Sequence, residues 1–194
     1  MKKSFINYLI LNKVKFYFLL LAEERIKIHS SLRTVEWKNN KVVLIDQTKL
    51  PNELVFVEFD DFNQVAEAIR TLVVRGAPAI GVSGAFGLAL AVLQSKASTK
   101  DELLSDLENA RKILFATRPT AVNLAWGLDK IMDTAKSGDS VEQIKELVIS
   151  KAKKMADEDI EINKTMGKIG SVLFDDNDTI MTHCNAGALA TVAY

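Results

Sequence analysis

The sequence predicts an α/β chain: a small N-terminal domain with a short β-sheet and a helical bundle, followed by the opening of a second, parallel α/β unit. Three observations carry this. Short β-rich runs cluster between residues 34 and 59, helical apolar stripes fill residues 62 to 170, and an apolar run at 179–183 is followed by small residues suited to a helix start. Of the 194 residues, 48% are hydrophobic and 26% charged, which is enough apolar material to bury a core.

The elements follow in order. Residues 1–32 read as an N-terminal extension. Lys2 and Lys3 precede two apolar runs in the manner of an export signal, but Lys13 and Lys15 interrupt them. Neither run reaches the roughly 18 to 20 residues of a membrane helix, and no small-residue cleavage pattern precedes Glu23-Glu24-Arg25, so neither a membrane partner nor export is expected. The first domain is assigned to residues 33–174. Thr34-Val35-Glu36-Trp37 and Val42-Val43-Leu44-Ile45 flank the polar turn Lys38-Asn39-Asn40-Lys41, which reads as a hairpin. A third strand is expected over 54–59, after Pro51-Asn52. Asp60 or Asp61 then caps a helix whose inner face is Val65, Ala68, Ile69, Leu72 and Val73.

From 77 to 93 the chain is rich in Ala, Gly and Leu, with Gly81, Gly84 and Gly87 at three-residue spacing, so this helix is predicted to be central, buried and closely packed. Ser98 or Thr99 caps the next, with Leu103, Leu107, Ala110 and Leu114 on one face. Arg118-Pro119-Thr120 is expected to open another, with proline in its first turn. A long helix follows Asp139 with Val141, Ile144, Val148, Ala152 and Met155 inside. Residues 175–194 are assigned to the second unit: a polar turn at Asp175-Asp176-Asn177-Asp178, a buried strand over 179–183, and a helix start after Asn185. A parallel sheet needs further strands and crossovers of a dozen or more residues, so the expectation is a chain that lacks most of this unit.

Composition excludes several functions. Lys plus Arg equals Asp plus Glu at 25 each, so no polyanion such as nucleic acid is expected as a partner, and anion binding must be local. One cysteine and two separated histidines give no disulfide and no zinc spacing, which fits a reducing cytoplasm, the expected location. Asp157, Glu158, Asp159 and Glu161 read as the solvated face of a helix beside Lys151, Lys153 and Lys154. The Asp175–178 run lacks the glycine and distal glutamate of a calcium loop, and no metal is assigned.

Three places hold chemistry. In Arg75-Gly76-Ala77-Pro78, an arginine precedes a helix start whose Gly76 and Ala77 N–H groups suit a phosphate; the alternative is a structural turn between helices. Arg118-Pro119-Thr120 repeats the arrangement, and two such arginines favour a phosphorylated small molecule. Cys184 stands where the expected strand ends and the small-residue helix begins. A thiol there is partly exposed and favoured as thiolate by the helix N-terminus, the alternative being a small buried hydrophobe. Asn185 could orient a hydroxyl or carbonyl. His183, one residue earlier, points to the opposite strand face and reads as a packed core histidine.

Read together, residues 73–81 (VVRGAPAIG), 118–126 (RPTAVNLAW) and 182–191 (THCNAGALAT) closely resemble the methylthioribose-1-phosphate isomerase family, and the resemblance extends from about Arg33 to Tyr194. It implies a Rossmann-like second domain, a cytoplasmic homodimer and a role in methionine salvage, with a phosphorylated pentose as substrate and no cofactor. It further implies that Cys184 is the catalytic thiol and that Arg75, Gly76, Ala77 and Arg118 bind the substrate. The family's catalytic aspartate matches no residue here, so the expectation is a C-terminally truncated chain with negligible activity alone, and with residues 1–31 as upstream sequence ahead of Leu32. The same superfamily offers ribose-1,5-bisphosphate isomerase and, without catalysis, the regulatory subunits of the eukaryotic translation initiation exchange factor.

Overall fold

In the computed structural model the described residues are 32–194, and residues 1–31 of the N-terminal extension, with the export and membrane readings made on them, lie outside that range. Two strands, β1 (Val35–Lys38) and β2 (Lys41–Ile45), form the expected hairpin, with Val35 opposite Leu44 and Trp37 opposite Val42. Asn39 and Asn40 both have positive φ, 53° and 58°, the two-residue turn whose twist matches the flanking strands and which Asn tolerates best among residues with a side chain. β3 (Phe56–Phe59) adds antiparallel to β2, giving the order β1-β2-β3. It is shorter than the 54–59 expected from sequence.

Five helices follow: α1 (Phe62–Arg70), α2 (Ala77–Gln94), α3 (Lys100–Thr117), α4 (Val122–Lys136) and α5 (Val141–Gly170). Asp61 caps α1 by accepting from the Asn63 N–H at 2.7 Å. Thr99 and Glu102 make a reciprocal capping box on α3, and Ser140 caps α5. α1 ends earlier than its apolar stripe suggests. Leu72, expected on the inner face, takes a left-handed conformation (φ 65°) and is exposed, while the Val73 N–H bonds back to the Ala68 carbonyl at 2.9 Å and the Leu72 N–H to Ile69 at 3.4 Å. This pair of bonds closes the helix and releases Val74 into the core.

α2 is the axis of the domain. Every residue from 79 to 92 is buried because α1, α3, α4, α5, β1 and β2 all pack on it, which explains an apolar composition on all sides. By length and hydropathy α2 could cross a membrane, but most of it is enclosed by its own neighbours. The glycines permit the closest of these contacts. A Cβ on Gly127 of α4 would collide with the Gly81 carbonyl of α2, and one on Gly81 would come within 2.7 Å of the Asn123 carbonyl. Trp37 of β1 meets Phe86 of α2 with ring centroids 5.5 Å apart, tying the sheet to the same axis.

α4 begins three residues later than expected. The Ala121 N–H donates to the Arg118 carbonyl at 3.0 Å, so Pro119 and Thr120 are the central pair of a turn and the proline precedes the helix instead of sitting in its first turn. α5 carries the expected stripe Val141, Ile144, Val148, Ala152 and Met155 in the core, and its 30 residues make a rod of about 45 Å. Its last turns leave Ile162, Met166 and Ile169 exposed.

After a 3-10 turn at Ser171–Leu173 the polar turn forms as expected, with the Asp178 N–H donating to the Asp175 carbonyl at 3.1 Å. The strand expected over 179–183 does not. Those residues are irregular and exposed, with Ile180 and Met181 in solvent, because no strand among the described residues lies beside them to complete a ladder. His183 is therefore exposed and not a core histidine. The helix expected after Asn185 is a single 3-10 turn, Ala188–Ala190.

Gly127→Ala is expected to lower stability by about 3 kcal/mol, because the added methyl has backbone in its path on a fully buried helix crossing, and denaturant unfolding would measure it. Leu72→Gly is expected to raise stability by about 1 kcal/mol in the same assay by relieving the left-handed leucine.

Candidate functional site

The first two sequence motifs border one groove of about 420 Å³, lined by Pro78 and Val82 from α2, Val122, Asn123 and Trp126 from α4, and Met155, Glu158, Asp159 and Ile162 from α5. That volume suits a small metabolite, and the lining is apolar with a few polar groups. A slightly larger and more open depression, about 480 Å³, lies along the outer face of α5 between Ser150 and Glu161. It contains no residue of the three motifs and is the surface of one solvated helix, so the groove between α2, α4 and α5 is the candidate site.

The helix starts at this groove differ from the others. α1, α3 and α5 have side-chain caps, whereas α2 and α4, the two helices preceded by the arginine motifs, have none. Gly76 (φ 92°) and Ala121 occupy the cap positions, so Ala77 and Ala79 of α2, and Val122 and Asn123 of α4, present N–H groups with no intrahelical acceptor. Orphan donors at the positive end of a helix are a ready anion site. Arg75 is exposed and Arg118, which caps the C-terminus of α3, is half-buried. Neither guanidinium bonds to another side chain among the described residues. Two other cations around α5 are paired: Arg33 with Asp157 at 3.1 Å and Lys154 with Glu158 at 3.7 Å.

The third motif reaches the first through its C-terminal end. Gly76 packs backbone to backbone on Ala190, so closely that any Cβ at 76 would collide with the Ala190 Cα and carbonyl, and its positive φ adds a second reason for glycine. Residues 190–193 are buried. Thr34, itself buried, donates its hydroxyl to the Ala188 carbonyl at 2.8 Å and its N–H to the Val192 carbonyl at 2.7 Å, and the Gln47 side-chain amide donates to the Leu189 carbonyl at 2.8 Å. Cys184 is not held in this way. It is exposed, with φ 64°, and the helix expected to face its thiol is one short turn that starts four residues on. Asn185 is likewise exposed.

Sequence reasoning missed Asp159. The sequence places it with its neighbours on a solvated face, and that holds for Asp157, Glu158 and Glu161. Asp159 is instead half-buried in the groove wall, where its Oδ2 accepts from the Val192 N–H at 2.8 Å and its Oδ1 from the Asn163 amide at 3.2 Å. Burial pushes its carboxyl above the ordinary aspartate value, against the pull of the Val192 and Asn163 donors. The signal was available: along α5, Asp159 falls three and four residues beyond the buried Ala156 and Met155, on the inner stripe. Among the described residues no cluster of three or more His, Cys, Asp or Glu side chains could hold a metal ion.

Residues 73–194 match the model of the Initiation factor 2 subunit family. The chain belongs to that family. Among its members, the methylthioribose-1-phosphate isomerase of Geotalea uraniireducens is 45% identical over 166 residues, which cover 84% of this chain and 48% of the relative. The crystal structure of 5-methylthioribose 1-phosphate isomerase from Pyrococcus horikoshii superposes with a TM-score of 0.79 at 48% identity, covering 85% of this chain and 47% of that one. That of translation initiation factor eIF-2B, subunit delta, from Archaeoglobus fulgidus gives 0.76 at 46% identity, covering 84% and 47%. The chain thus spans about half the length of the family members it matches, and the sheet and helical bundle are theirs.

Gly76→Ala is expected to undock residues 188–193, seen as faster amide exchange there while α3 remains protected. Because the folded state raises the Asp159 affinity for a proton, its contribution to stability is largest when protonated and falls as pH rises above the ordinary aspartate range. The neutral isostere escapes that loss. The melting temperature of Asp159→Asn minus that of the native chain is therefore expected to increase between about pH 4 and pH 7; a difference that is flat or decreases would contradict this.

Proposed function

We propose that this chain supplies the phosphate-binding half of an aldose-ketose isomerase site that converts 5-methylthioribose 1-phosphate to 5-methylthioribulose 1-phosphate in methionine salvage. The observation that carries the reading is the pair of uncapped helix starts, each preceded by an arginine, bordering one groove of metabolite size. The names of relatives at 45% and 48% identity support it at the level of the family.

In this reading Arg75 and Arg118, with the N–H groups of Gly76 and Ala77, hold the substrate phosphate. The apolar side chains of Val82, Val122, Trp126 and Ile162 offer the sugar a wall to pack against. Phosphate on the anomeric oxygen blocks spontaneous ring opening, so an acid must protonate the ring oxygen as the C1–O bond breaks. Ring opening leaves C1 as a cation that still bears the O-phosphate; a net transfer of hydrogen from C2 to C1 then makes C1 the phosphorylated CH2, and the C2 hydroxyl gives its proton to a base as C2 becomes the ketone, so no external oxidant or reductant is needed. Cys184 is the thiol proposed to serve this transfer. The remaining ligands belong to the half of the relatives that this chain does not span.

A second reading, favoured by the similarity to the subunit of translation initiation factor eIF-2B, is that the groove of this chain binds a phosphorylated ligand without turning it over. A chimera separates the two. Residues 32–194 joined to the unmatched half of the Pyrococcus horikoshii enzyme are expected to isomerise 5-methylthioribose 1-phosphate in preference to ribose 1,5-bisphosphate, and Cys184→Ser is expected to reduce turnover by about 100-fold or more. Full activity in the Cys184→Ser chimera would overturn the catalytic role. The 194-residue chain alone is expected to give no turnover.

A further inference from the structure

One carboxylate joins elements that the three motifs leave unconnected. Asp159 lines the groove with Pro78 of the first motif and Asn123 and Trp126 of the second, and its Oδ2 takes the N–H of Val192 just beyond the third. Val192 is itself a junction, because its carbonyl accepts from the N–H groups of Thr34 at 2.7 Å and Val35 at 3.4 Å at the entrance to β1. The docked segment is thus held at 188 by Thr34, at 189 by Gln47 and at 192 by Asp159. Of these three side chains only Asp159 comes from a helix. Without it the segment would remain pinned to the sheet and its loop while losing its registration to α5 and the groove.

Asp159 is also poised for this task. Asn163, one turn on, donates its amide both to the Asp159 carboxylate and, at 2.8 Å, to the Asp159 carbonyl, which fixes the side-chain rotamer. A bond from a backbone N–H to a carboxylate is roughly twice as strong as one to a neutral acceptor. Asp157, two residues earlier, makes only an exposed ion pair with Arg33 and does not touch the segment.

We propose that Asp159 is a positioning residue: by holding the Val192 N–H on α5 it fixes residues 188–193 against Gly76, and so anchors the C-terminal end of the segment that carries Cys184. It acts through Val192 and not on a ligand. The inference stands on the geometry of this chain and does not require isomerase activity.

The test uses the full 194-residue chain, whose single cysteine allows one nitroxide label at Cys184. Hydrogen exchange of peptides covering 188–193 is read beside the mobility of that label by electron spin resonance. In Asp159→Ala, exchange across 190–193 is expected to accelerate by about tenfold and the label spectrum to sharpen, with α2 peptides unchanged. Asp159→Asn keeps an acceptor and is expected to restore both readouts most of the way. Asp157→Ala is expected to change neither. The proposal is overturned if Asp159→Ala leaves exchange at 190–193 and label mobility as they are. It is equally overturned if protection falls alike in α2 and the segment with no rescue by asparagine, because Asp159 would then serve stability in general.

Discussion

The docking of residues 188–193 into the slot formed by Thr34, Gln47, Gly76 and Asp159 is the contact on which the arrangement of the site depends. It is a backbone docking. Almost every bond in it uses a main-chain group of the segment, and its closest approach is glycine against an alanine main chain, so it reads the path of the chain more than the side chains it carries. Because the same slot borders the first turn of α2, the third motif is brought beside the first although more than a hundred residues separate them. Nothing comparable holds residues 175–187, which are exposed.

The second organising feature is the division of labour among helix starts. Three helices are closed at their N-termini by their own side chains, and the two that meet at the groove are left open, with an arginine just upstream of each. Leaving a side-chain cap out costs roughly 1 kcal/mol at Ala121 and only a few tenths of that at Gly76, and a bound anion would offset it by accepting the same N–H groups. Small residues at 76, 77, 79 and 121 keep those groups accessible, and the Gly81 and Gly127 crossing brings α2 and α4 close enough for both starts to share one groove.

Much of this was legible in the sequence where local chemistry decides the structure. The Asn39-Asn40 turn, the caps at Asp61 and Thr99, the all-apolar α2 and the inner stripe of α5 follow from residue type and period alone. The failures share a cause. The run at 179–183 has the composition of a buried strand, but strand formation needs a partner edge, and periodicity cannot supply one. Leu72 fits the stripe of α1 yet lies past the point where the chain must turn to bury Val74. Asp159 was masked by its acidic neighbours, since composition reports the run while only the helical phase separates the one inward carboxylate from the outward ones. The groove itself was legible only as two motifs, because their convergence depends on the glycine crossing.

The central claim is that this half of the fold carries an anion site built from two helix starts. Titrating inorganic phosphate into the isotopically labelled 194-residue chain, and following backbone amide shifts, tests it most directly. The largest shifts are expected at Ala77, Ala79, Val122 and Asn123, with their loss in Arg75→Ala. Shifts confined to the capped starts of α1, α3 and α5, or a response at Ala77 and Val122 that survives removal of the Arg75 side chain, would contradict it.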